Sequence, residues 1–107
     1  MDTIPPALIE QALNLAECGR LTGYWDHWFH VLLPEGRAKL IFQVKPRGIQ
    51  VRLEKIVYVT ASRRVEHRAV VLAQSYLEHG SRHWDRAAGI LEGAPELAPG
   101  VTDTTGD

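Results

Sequence analysis

Ala38-Lys39-Leu40-Ile41-Phe42-Gln43-Val44-Lys45 is the stretch on which the fold turns. Ala38, Leu40, Phe42 and Val44 alternate with Lys39, Gln43 and Lys45, the two-residue period of a half-buried strand. Pro34-Glu35-Gly36-Arg37 precedes it and Pro46-Arg47-Gly48 follows it. In both, Pro and Gly stand where type I or II turns accept them. The neighbouring segments, about 24–33 and 49–60, are therefore predicted to pair with it as antiparallel strands.

Register follows from the apolar pattern, because a slip of one residue sends every side chain to the other face. Leu33 opposite Ala38 sets Val31 against Leu40 and Phe29 against Phe42. Val44 opposite Ile49 sets Phe42 against Val51 and Leu40 against Leu53. All of these then share one buried face. The other face carries three mixed rows: Trp28, Gln43 and Gln50; His30, Ile41 and Arg52; Leu32, Lys39 and Glu54. In the third strand the apolar phase changes after Leu53, from 49/51/53 to 56/58, which predicts a β-bulge near Glu54-Lys55.

Helices are predicted on either side of this meander. The first starts at Pro5 or Pro6, since proline is tolerated in a first turn, whose N–H groups have no helical partner. It carries Leu8, Ala12, Leu15 and Ile9, Leu13, Ala16 at helical spacing and ends near Cys18. A second is predicted over 62–79, capped by Thr60 or Ser62, with Val65, Ala69, Leu72, Ala73 and Tyr76 as its inner stripe and Gly80 as its stop. A short third helix over 82–92 follows Ser81 as cap and ends at Gly93, anchored by Trp84, Ala88 and Leu91. The expected fold class is α+β: a three-stranded antiparallel β-meander with helices packed on one face, in the order α-β-β-β-α-α.

At 107 residues the chain forms one domain, read as 1–92, with 93–107 as a disordered acidic tail rich in Gly, Pro and Thr. The single Cys18 excludes an intrachain disulfide and is read as a buried structural thiol. No apolar run approaches the roughly 20 residues of a membrane span. With an acidic, proline-broken start, the reading is a cytoplasmic protein.

Charge is sorted along the chain. Nine basic residues lie between Arg37 and Arg68, against Glu54 and Glu66, for a net of +7. Residues 1–36 and 69–107 each carry −4. A basic middle between acidic ends calls for an anionic partner, or for neutralisation by the ends. Arg63, Arg64, His67 and Arg68 would open the second helix, where free N–H groups and the dipole also favour an anion. With Arg52, Lys39, Lys45 and Arg47 they form the candidate nucleic-acid or anion-binding set. A solvated face with ion pairs is the plainer alternative. Trp28, His30, Ile41, Gln43 and Gln50 form a candidate interaction surface on the open sheet face, with Trp28 able to stack a base or anchor a partner.

The helix–three strands–helix order, with Ser62-Arg63-Arg64-x-x-His67 opening the second helix, resembles the double-stranded RNA-binding domain. That resemblance implies phosphate contacts by Arg63, Arg64 and His67. Glu66, the added third helix and the tight Pro34–Arg37 turn depart from the family pattern.

His27 and His30 are three apart on a strand and point to opposite faces, so they do not form a metal pair. No HExxH, paired CxxC, P-loop, GxGxxG or GxSxG is present. The expectation is a non-enzymatic binding module without cofactor or metal, contacting nucleic acid or a nucleoprotein. The alternative is a protein–protein module, an inhibitor or adaptor, possibly homodimeric, using the open sheet face or a free strand edge.

Overall fold

The computed structural model describes residues 2–25, 27–34, 38–61 and 63–93, with the backbone alone at 59, 61, 64, 66 and 67. Of the expected tail over 93–107 all but Gly93 lies outside the described residues, as do 35–37 of the first predicted turn. The elements run α1 (Pro6–Glu17), β1 (Gly23–Trp25), β2 (Trp28–Leu32), β3 (Ala38–Lys45), β4 (Gly48–Ala61), β5 (Arg64–Glu78) and α2 (Arg82–Glu92). The five strands form one antiparallel sheet in chain order. This corrects the three-stranded meander with three helices, while the α+β class stands.

Two changes produce the extra strands. The first predicted strand is two strands, β1 and β2, paired with each other, Trp25 with Trp28 and Tyr24 with Phe29. The stretch expected as the second helix is β5, paired to β4 from Gly48↔Glu78 to Ala61↔Arg64. The helical stripe fails on burial: Val65, Ala69, Leu72 and Tyr76 are all exposed, and only Ala73 is buried. A two-residue period holds instead, with Ala73 and Leu77 buried and Ser75 half-buried between them, bound at its Oγ by the Ile4 N–H at 2.8 Å. β-branched Val65, Val70 and Val71 suit a strand better than a helix. The long outer edge of β4 also needs a partner for its N–H and C=O groups. With β5 a strand, the resemblance to the double-stranded RNA-binding domain lapses, because the helix that carried its basic motif is absent.

The predicted register is found throughout β2–β3–β4: Phe29↔Phe42, Val31↔Leu40, Phe42↔Val51, Leu40↔Leu53 and Val44↔Ile49 are all paired. Leu33 donates to the Ala38 carbonyl at 2.9 Å, closing the first hairpin as expected. The bulge lies at Leu53/Glu54, but its extra residue, Leu72, belongs to β5.

Both helices cover one sheet face. Phe29, Val31, Leu40, Phe42, Ile49 and Val51 are fully buried there beneath Ile9, Ala12, Leu13, Ala16, Ala87 and Ile90. Each large side chain removed from water contributes about 1.5–3 kcal/mol. Phe29 and Phe42 stack with centroids 4.6 Å apart. The Tyr24 hydroxyl donates to the Leu91 carbonyl, tying β1 to α2. Ser81 caps α2 by accepting from the Trp84 N–H at 3.2 Å, as its sequence suggests. Cys18 is exposed just beyond α1, contrary to the buried thiol expected.

The sheet does not end together. Pairing between β3 and β4 stops at Ala38↔Lys55. Beyond it, among the described residues, β4 and β5 continue alone for six pairs, Ile56↔Ala69 to Ala61↔Arg64, as a two-stranded ribbon. No described helix is long and apolar enough to cross a membrane.

Candidate functional site

Directly paired residues share a face, so the register fixes what the side away from the helices presents. Trp25, Trp28 and His30 lie at one end of it, followed by Ile41, Gln43, Gln50 and Arg52, and then Lys39, Leu32 and Glu54. The candidate interaction residues Trp28, His30, Ile41, Gln43 and Gln50 are thus together on one face. Trp28 lies flat on Trp25, with centroids 4.0 Å apart and planes 8° from parallel. Its expected availability for base stacking is reduced, because one ring face is already covered. Ile41 is buried beneath its neighbours.

His30 tilts against Trp28 with centroids 4.5 Å apart, and its buried Nε2 has no hydrogen-bond partner among the described residues. Burial, aided by Lys39 and Arg52, pushes its imidazole down to about 4. The sign follows from linkage. Unfolded chains take up this proton near pH 6.5, whereas the folded protein resists it until about pH 4. His30's contribution to stability is therefore whole above pH 6.5 and is lost as pH falls toward 4. His30→Gln is expected to flatten that part of the stability–pH curve, as read by urea unfolding at stepped pH. An NMR titration should show the wild-type ring neutral at pH 5.

The candidate anion-binding residues divide among three places. Arg63, Arg64, His67 and Arg68 lie at the ribbon's tip and along its β5 side, with Lys55 at its base. Arg52 and Lys39 lie on the open face, where Arg52 Nε contacts Glu54 Oε2 at 3.1 Å and Nη1 donates to Gln43 Oε1 at 3.5 Å. Lys45 ends β3 and Arg47 lies in the β3–β4 turn. That turn lies at the far end of β4, roughly 40 Å from the tip at about 3.3 Å per residue. The basic middle is therefore one block in sequence but three groups in space. The helix-dipole argument for Arg63 and Arg64 falls with the helix.

Two acids of the N-terminal third have other partners. Arg86 binds Glu17 twice, at 2.7 and 2.9 Å, and also Glu10 and Asn14, each at 2.7 Å. His83 Nε2 lies 2.8 Å from Glu10 Oε2. These bonds hold the Glu10 and Glu17 carboxyls below the usual range, for Glu10 chiefly through His83 and for Glu17 through Arg86. They lock α1 to α2 rather than screen the ribbon.

The feature missed in sequence is the ribbon's apolar surface. Among the described residues, six of eight exposed large hydrophobic side chains lie on β4 and β5: Ile56, Tyr58, Val65, Val70, Leu72 and Tyr76. Tyr58 is 69% and Val65 63% exposed. The register puts Ile56, Tyr58 and Val65 on one ribbon face, and Lys55, Val57, Arg68 and Val70 on the other. A signal was present: the strand pattern of 49–60 outruns that of 38–45, so its far half needed a partner other than β3.

A cleft of about 200 Å³ between α2 and the β3–β4 turn is lined by Val44, Ile49, His79, Trp84, Ala88 and Leu91. Another, of about 350 Å³, lies between α1 and α2, where Glu17 and Arg86 are bonded to each other. Among the described residues no three His, Cys, Asp or Glu converge as metal ligands would. Compared with protein-family models, curated proteins and solved structures, the chain matches none.

Proposed function

We propose that this chain is a non-enzymatic protein-interaction module whose working element is the β4–β5 ribbon. One observation carries the reading: a projecting two-stranded ribbon with Ile56, Tyr58 and Val65 exposed on a single face. An isolated two-stranded hairpin is marginal in water. Contiguous exposed apolar surface marks contact sites, and free strand edges invite pairing with another chain. The basic residues between the apolar ones keep the uncovered ribbon soluble, a common protection of edges.

The test is a photoreactive residue placed at Val65, and separately at exposed Ala7 on α1, in the full chain within its native extract. The expected result is a discrete protein adduct from position 65, weakened by Tyr58→Asp, and none from position 7. Adducts from position 7 with position 65 silent would contradict the reading.

A second reading, contact with nucleic acid, is favoured by the location of Lys55, Arg63, Arg64 and Arg68 on the same ribbon. A two-stranded ribbon also fits the duplex major groove. It predicts low-salt binding that weakens steeply as salt rises and falls uniformly across sequences in Arg63→Ala/Arg64→Ala. No binding at low salt would end it.

A further inference from the structure

The outer edge of β5 is treated differently along its length. Asp2 bridges in parallel to Ala73, and its carbonyl accepts the Gln74 N–H at 2.8 Å. Ile4 follows with its bond to Ser75. The N-terminal segment thus covers the edge beside the core. Among the described residues, no strand or bridge covers it from Arg64 to Val71.

The direction of the uncovered backbone groups can be deduced. The Gln74 N–H points outward, so its partner Arg52 turns its own groups toward β3. Backbone direction alternates along β4, so Glu54, Ile56 and Tyr58 do the same. Their partners on β5, Val71, Ala69 and His67, must then turn theirs outward, and so must Val65. These four residues offer a ladder that no other described strand takes up.

We infer that the ribbon's partner is a second copy of this chain, joined β5 edge to β5 edge about a two-fold axis at His67; this rests on the ribbon being the interaction surface. Self-complementarity selects that axis. With the dyad at His67, Glu66 of one copy stands across from Arg68 of the other, twice over. Val65 stands across from Ala69, on the face that carries Ile56 and Tyr58. A dyad at Glu66 or Arg68 sets like charges across from each other, which opposes pairing. A dyad at Ala69 drives Val65 against Ala73, which Asp2 already occupies. A dyad at Val65 leaves the apolar residues beyond 67 uncovered. The His67 arrangement uses the free edge over 64–70 and joins two five-stranded sheets into one of ten strands. Such a closed two-fold contact is self-limiting. Seven residues a side make a small contact for a specific interface, so the dimer should be concentration-dependent.

Sedimentation equilibrium of the full chain tests this. The expected mass rises with concentration toward twice the monomer's. Arg68→Glu should raise the dissociation constant about tenfold, because two opposite-charge pairs become like-charge pairs. Glu66→Arg should do the same, and the double exchange should restore association. Ala69→Pro removes an outward N–H that β4 does not use, so it should abolish association while near-ultraviolet circular dichroism stays native. Failure of the double exchange to restore pairing, or persistence of the dimer in Ala69→Pro, would overturn the proposal. A strictly monomeric wild type that still yields a heterologous adduct from position 65 would overturn self-pairing and leave the ribbon reading intact. Association seen only after nucleic acid is added would overturn it in favour of the second reading.

Discussion

Ala73→Asp is expected to remove a large share of the protein's stability, whereas Leu72→Asp, one residue earlier, should remove little of it. Ala73 is 5% exposed and pairs with Leu53 on the face beneath the helices, in line with Leu77 at 6%. A carboxylate forced in there either stays charged without a counter-ion or takes up a proton, and each course costs about 3–5 kcal/mol. Small domains have roughly 5–15 kcal/mol in all. Leu72 is 45% exposed as the extra residue of the bulge. Aspartate there meets water and should cost less than about 1 kcal/mol. A helix over 62–79 would bury both residues in one stripe and make the two substitutions equally harmful. Urea unfolding followed by circular dichroism separates the two cases.

Gly48→Ala should be nearly as damaging, by about 3 kcal/mol. Gly48 sits at the start of β4 with φ +155°, a value L-residues rarely adopt, and a Cβ there would lie 2.2 Å from the Leu77 carbonyl oxygen. That oxygen belongs to the backbone of β5 and cannot retreat without disturbing the pairs Gly48↔Glu78 and Ile49↔Leu77. Gly80 provides the contrast. Its φ is +82°, but nothing lies within 4 Å of where a Cβ would be. Gly80→Ala therefore meets only backbone strain, about 1 kcal/mol. A gap of about 2 kcal/mol between the two alanine variants is the expected reading. Equal losses would mean that β5 does not approach the β3–β4 turn as closely as found.

The centre of the sheet was legible because its signals agree. Alternation in Ala38–Lys45, bounded by Pro/Gly turns, leaves one register that buries Phe29, Leu40, Phe42 and Val51 together. The open-face rows through Trp28, His30 and Gln50 followed from the same register. Residues 62–79 were not legible, because two periods coexist there. Val65, Ala69, Leu72 and Tyr76 fit a helical stripe, while Ala73, Ser75 and Leu77 fit a strand. The deciding factor is tertiary: the unpaired edge of β4 selects the second pattern, and strand preference depends strongly on such context. The candidate site inherited that error. Arg63 and Arg64 were placed in a helical first turn, and Val65 in that helix's inner stripe. Charge sorted along the sequence also misled, since a meander sends neighbouring segments to opposite ends. Lys45 and Arg68 illustrate this: one lies beside the β3–β4 turn and the other on the ribbon.

Backbone-amide hydrogen exchange, resolved by residue over β5 in dilute and in associated protein, tests the central claim most directly. In dilute protein the amides of Glu66, Arg68 and Val70, which face β4, should exchange slowly, and those of Val65, His67 and Ala69 quickly. On association the fast set should become protected while α1 and α2 stay unchanged. Unbroken protection from 64 to 78 would contradict the strand, and fast exchange at Val65, His67 and Ala69 in the associated protein would contradict the ribbon as the place where a partner joins.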